Sequence, residues 1–255
     1  MKSIKIVISA FLEAGEIIKK ANLKKYYILP GIIGSLMFVF FIFFGIKVSN
    51  YLWELIIKLF KIDEFYYWIS WIIKLFLTMG LFFLYFLIYK TLLLVVLSPI
   101  LSYASERVDS YLTNKKFDIS LKDSMSFLAR GANIGMICFI KQILVMIVLF
   151  FLEILIPPVV IISPIIVFLM QGYFTGFAFM DYTLERYKFT TKESMKFLSK
   201  KRTYSILCGT IFNILMFIPI IGIFIAPIMT CVAVTKLTLD LINNDEEYEK
   251  YTIIG

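Results

Sequence analysis

Lys24 and Lys25 stand together where a short polar turn, Asn22-Leu23, gives way to a long apolar run. Asn22 is read as capping the next helix, whose first amides point out of the helix end. Two exposed lysines in a first turn oppose the helix dipole at a cost of about 0.3–1 kcal/mol each, and a bound anion relieves that cost. Asn22, Leu23, Lys24 and Lys25 therefore form the candidate anion-binding turn. The same lysines also read as a plain topology signal, because basic residues commonly flank a first membrane span.

Six further ionisable residues are candidates for a pathway or for pairing between helices. Lys90 and Glu153 lie inside apolar runs, where a charge is costly and faces a protein interior, water or, through a long side chain, the membrane edge. Glu106, Arg107 and Asp109 come after Pro99 at helical spacing and are placed to pair across helices or subunits, or to form a solvated face. Asp181, beside Tyr182, is read as a cap or as the partner of Arg186. Gly172 and Gly176 have the spacing that permits close helix approach, including approach between subunits.

Other chemistry is excluded by what the chain lacks. It has no histidine, so imidazole acid–base catalysis and histidine-based metal ligation are unavailable. Cys138, Cys208 and Cys231 are isolated within or beside apolar segments and read as small packing residues. There is no phosphate-cradling loop, dinucleotide fingerprint or nucleophile elbow. No enzyme activity, cofactor or metal is expected.

The elements that position these residues are set by composition. The 255 residues are 60% hydrophobic with mean hydropathy +0.88, against about 45–50% apolar residues in a soluble domain. Lipid is the required solvent, and no polar stretch is long enough for a separate soluble domain. Residues 1–21 place Ile4, Val7, Ile8, Phe11 and Leu12 on one face, as in an amphipathic interfacial helix. Apolar runs over 26–46 and 72–97 predict two long transmembrane helices. Between them, 47–71 mixes charge with aromatics as a hydrated loop does. Pro99 marks a break, opening a cytoplasmic segment over 98–133. Residues 134–182 and 204–240 read as two hairpins tipped at Pro157-Pro158 and Pro219. Their apolar arms, 142–156 and 206–218, are short for a membrane core of about 30 Å. The expected fold is an all-α integral membrane protein: an amphipathic helix, two long spans and two proline-tipped, partly penetrating hairpins in one polytopic domain.

The +8 charge is distributed in short clusters between apolar runs, which sets membrane orientation and does not call for nucleic acid. Lysines before the first span, and those in the 183–203 segment, predict cytoplasmic termini, with 241–255 as an acidic tail. The membrane is read as a bacterial inner membrane.

Several stretches resemble the CysZ sulfate transporter and etoposide-induced 2.4 family. They are Leu23-Lys24-Lys25-Tyr26-Tyr27-Ile28-Leu29-Pro30, Leu97-Ser98-Pro99 through Glu106-Arg107-Val108, Phe179-Met180-Asp181-Tyr182, and Ile218-Pro219 with Gly222 and Ala226-Pro227. The resemblance implies two spans with two partly penetrating hairpins, homo-oligomers, and sulfate uptake feeding cysteine biosynthesis. It also implies anion binding at a Gly-Leu-Arg-Arg type turn, which here is Asn22-Leu23-Lys24-Lys25. Expected partners are a small inorganic anion and membrane lipids. The rival reading is a non-transporting membrane scaffold whose basic segments bind lipids or partner proteins.

Overall fold

The computed structural model describes residues 2–60, 67–115, 121–218, 221–245 and 247–248, and these residues contain helices and turns without strands. Helix α1 (Lys2–Lys20) leads through a 3-10 turn (Lys24–Tyr27) into α2 (Ile28–Phe60). Then come α3 (Tyr67–Thr113), α4 (Leu121–Leu155), α5 (Val159–Arg186), α6 (Thr191–Lys200), α7 (Arg202–Met216) and α8 (Ile221–Asn243). Among the described residues, five segments are long and apolar enough to cross a membrane: Lys24–Lys58, Tyr89–Thr113, Ala129–Leu155, Val159–Arg186 and Gly222–Asn243. The chain is a multi-pass helical membrane protein.

Two compact units share the chain, one of residues 1–31 and 94–255, the other of 32–93. In the smaller unit, Tyr89 donates a hydrogen bond to the Gly34 carbonyl at 3.0 Å and packs edge-on against Phe38 and Phe41. In the larger unit α5 packs along α7, and the joint is built from glycines. A Cβ added at Gly209 would stand 1.9 Å from the Gly172 carbonyl oxygen, and one at Gly176 would stand 2.0 Å from the Ser205 carbonyl oxygen. Lipid tails give no hydrophobic drive for helix association, so close backbone approach supplies the packing. The Gly172/Gly176 pair is used within the chain, where the sequence also allowed contact between subunits.

Helix α1 lays Val7, Ala10, Phe11, Ala14, Ile17 and Ile18 against the protein, with α8 as its main neighbour. Ile4, Ile8 and Leu12 form an adjoining exposed flank, so the apolar stripe divides between two environments. The Glu13 carboxylate pairs with Lys236 of α8 and tethers the polar side.

Several boundaries differ from the sequence reading, each for a local reason. Helix α2 continues past residue 46 to Phe60, because Lys47 to Phe60 has no residue that stops a helix. Pro99 does not end α3: the carbonyl it leaves without an amide donor, that of Val95, accepts from Ser98 Oγ at 2.8 Å. Ser163 Oγ reaches the Val160 carbonyl in the same way beside Pro164, which lies inside α5. Pro157-Pro158 does form the turn between α4 and α5, with Pro158 at the N-cap of α5, where a missing amide costs little. The arms of that hairpin are 35 and 28 residues long, so the expected shortness fails for the first hairpin. It holds for α7, whose 15 residues rise about 22 Å. Met1, residues 61–66, residues 116–120, Pro219, Ile220, Glu246 and residues 249–255 lie outside the described residues, and with them the expected hairpin tip at Pro219 and part of the expected 47–71 loop.

Candidate functional site

The turn at Asn22 is built differently from its sequence reading. Asn22 adopts φ +59°, the left-handed region, and ends α1 instead of capping the next helix. The Leu23 amide donates to the Ile18 carbonyl at 2.9 Å and the Asn22 amide to Lys19 at 3.3 Å, the paired bonds of a Schellman stop. Those two amides are thus already used within the turn. The buried Leu23 anchors the turn, while Lys24 and Lys25 point outward and are exposed.

Around this turn the larger unit gathers a second cation. Tyr26 packs against Tyr103 of α3 with ring centroids 5.4 Å apart. Lys25 Nζ lies 5.2 Å from the Tyr26 ring centroid. The Arg107 guanidinium lies 5.7 Å from the Tyr103 ring centroid, and Arg107 Nε donates to Tyr103 Oη at 3.0 Å. An aromatic pair therefore carries a cation on each side, with Lys24 adjoining. None of Lys24, Lys25 and Arg107 forms an ion pair among the described residues. Such a surface attracts anions electrostatically and sets aromatic edges and hydroxyls beside them.

The remaining candidates occupy distinct places. Asp109 is fully buried and accepts from Arg186 Nε at 2.8 Å, Tyr187 Oη at 3.2 Å and Thr113 Oγ1 at 3.3 Å. Arg186 Nη2 also donates to Ser105 Oγ at 2.8 Å, and Ser105 accepts from Thr235 Oγ1 of α8 at 2.8 Å. Arg186 is thus the partner of Asp109, where the sequence offered pairing with it as one of two roles for Asp181. Asp181 is gripped instead by Arg130 of α4, Nε to Oδ2 at 3.0 Å and Nη2 to Oδ1 at 2.8 Å. This bidentate geometry is the strong form of a charged pair. Arg130 Nη1 donates to the Phe189 carbonyl at 2.7 Å and Nη2 to Ser194 Oγ at 2.9 Å, which ties α4 to the start of α6. Glu106 is buried on α3, Lys90 is 2% exposed in the smaller unit, and Glu153 is half-buried near the end of α4. The structure brings Arg107 to the lysine turn through the two tyrosines and joins Asp109 to α5.

The family model described as Sulfate transporter CysZ/Etoposide-induced protein 2.4 matches residues 10–227. This chain belongs to that family. No curated protein matches it. Within this CysZ/etoposide-induced family member, sequence reasoning missed Arg130, Ser105 and Tyr103. One signal pointed to Arg130: four of the 26 basic residues are arginine, at 107, 130, 186 and 202. Arginine is the residue suited to buried charged pairs, and two of the four form them.

Proposed function

We propose that this protein conducts a small inorganic anion, sulfate, across the bacterial inner membrane, supplying sulfur for cysteine biosynthesis. One observation carries the reading: Lys25 and Arg107 flank the Tyr26–Tyr103 pair, with the exposed Lys24 next to Lys25 in the chain, and none of the three forms an ion pair among the described residues. Family membership supplies the substrate class, since the family description names a sulfate transporter. The left-handed backbone of Asn22 supports it further, because asparagine tolerates the conformation that glycine would supply in a Gly-Leu-Arg-Arg type turn. Lysine is a point charge without arginine's planar fork, so this turn selects anions by charge more than by shape.

In this reading both termini are cytoplasmic, the chain acts as a homo-oligomer, and α7–α8 is the hairpin that penetrates only part of the bilayer. Asp109 and Asp181 hold α3, α4 and α5 together within the larger unit. Sulfate binding tests the site itself. A ligand held by the folded protein raises its thermal midpoint in proportion to the logarithm of its excess over Kd. Sulfate should raise the midpoint of the wild type and leave the Lys24→Ala/Lys25→Ala variant unmoved; equal shifts in both would remove the turn from the site.

A further inference from the structure

A groove of about 460 Å³ runs between α4, α5 and α7, within the range of about 300–1,000 Å³ usual for small-molecule sites. Its walls are Val145 of α4, Leu169, Met170 and Phe174 of α5, and Ile206 of α7. Where α6 gives way to α7 the lining changes to Ser199 and Arg202. Leu144, Ile166 and Leu169 are exposed along the same stretch of the hairpin, so the apolar part opens on a surface suited to hydrocarbon.

Arg202 differs from the basic residues beside it. Lys196 and Lys200 pair with Glu247, and Lys201 pairs with Asp245. Arg202 is exposed and forms no ion pair or hydrogen bond among the described residues. Between residues 188 and 202 the other cations, Lys188, Lys192, Lys196, Lys200 and Lys201, are all lysines. A guanidinium engages phosphate in a bidentate way that an ammonium does not. The local acidic tail thus neutralises the neighbouring lysines and leaves the phosphate-binding side chain open at the end of an apolar groove.

We propose that this groove binds one anionic phospholipid, its headgroup phosphate on Arg202 and an acyl chain along Leu169, Met170 and Ile206. The combination selects the occupant: a soluble anion has no use for the apolar length, and a neutral lipid has no use for the free guanidinium. The site is separate from the Lys24–Lys25 turn and does not depend on the transport reading.

The test uses native mass spectrometry of the full-length protein released from detergent after incubation with phosphatidylglycerol or phosphatidylcholine. Wild type should retain phosphatidylglycerol about fivefold over phosphatidylcholine, the preference that one interfacial arginine supplies. Arg202→Gln, at an exposed side chain that holds nothing else in place, should abolish the preference while leaving the protein folded. Ile206→Trp, which fills the groove, should lower retention of both lipids. An equal preference in wild type and Arg202→Gln would overturn the proposal, as would displacement of phosphatidylglycerol by millimolar sulfate, which would mark a site for a free anion.

Discussion

Replacing Gly209 with alanine adds one methyl group at the tightest point of the α5–α7 joint. That Cβ would lie 1.9 Å from the Gly172 carbonyl oxygen and 2.6 Å from the Gly176 amide nitrogen. Ordinary contact begins at 3.4 Å, so the backbones must separate by roughly 1.5 Å, and neither neighbour is a flexible side chain. Overpacking of this kind costs about 1–3 kcal/mol, whereas alanine in place of a helical glycine returns about 0.5–1 kcal/mol. The net expectation is destabilisation, and Gly176→Ala should behave likewise because the Ser205 carbonyl oxygen is 2.0 Å from that Cβ. Gly15 and Gly45 are internal controls: both lie in helices and nothing approaches their Cβ positions within 4 Å. Thermal scans of detergent-purified protein, read by size-exclusion recovery, should rank Gly209→Ala and Gly176→Ala below wild type, with Gly15→Ala and Gly45→Ala at or above it. If Gly209→Ala melts with the controls, α5 and α7 do not meet through these glycines, and the placement of Asp181 and Arg186 at the foot of α5 loses its basis.

The same geometry sets further outcomes. Arg130→Ala strands the buried Asp181 carboxylate and should cost about 3–5 kcal/mol, whereas Arg130→Met/Asp181→Leu should recover much of the loss in the same scans. Asn22→Gly should leave stability nearly unchanged, while Asn22→Val should cost about 1–2 kcal/mol, because its φ of +59° suits glycine and not a β-branched residue. The Lys236 ammonium, and after it the Ser9 hydroxyl, hold the Glu13 carboxyl below its usual 4.5. A depressed folded value means the pairing contributes fully above pH 4.5 and is lost as pH falls through the lower folded value. Protection of α1 amides, taken as the exchange rate relative to the intrinsic rate at each pH, should therefore fall below that pH in wild type, and Glu13→Gln should show already lowered protection with no such step.

The membrane class and the helical character were legible because uncharged runs such as 28–46 have no soluble explanation. The basic turn was legible from the abrupt change at Asn22 to Lys25. What misled was local reading of residues whose roles are settled by neighbours. Pro99 reads as a stop, yet the preceding serine takes over the abandoned carbonyl of Val95 and the helix continues. Asn22 reads as an N-cap because the apolar run comes after it, but its left-handed backbone closes the helix before it. Long-range partners left little trace: Arg130 is 51 residues from Asp181, and Asp109 is 77 from Arg186. Tyr103, which links Arg107 to Tyr26, lies on a helix face that periodicity alone does not pair with the lysine turn.

Sulfate flux is the most direct test of the anion pathway. Purified protein would be reconstituted into proteoliposomes and assayed with radiolabelled sulfate beside empty vesicles and the Lys24→Ala/Lys25→Ala variant. The account predicts saturable uptake by wild type well above the empty vesicles, and uptake by the variant reduced toward that background. Wild-type uptake no greater than that of empty vesicles would contradict it.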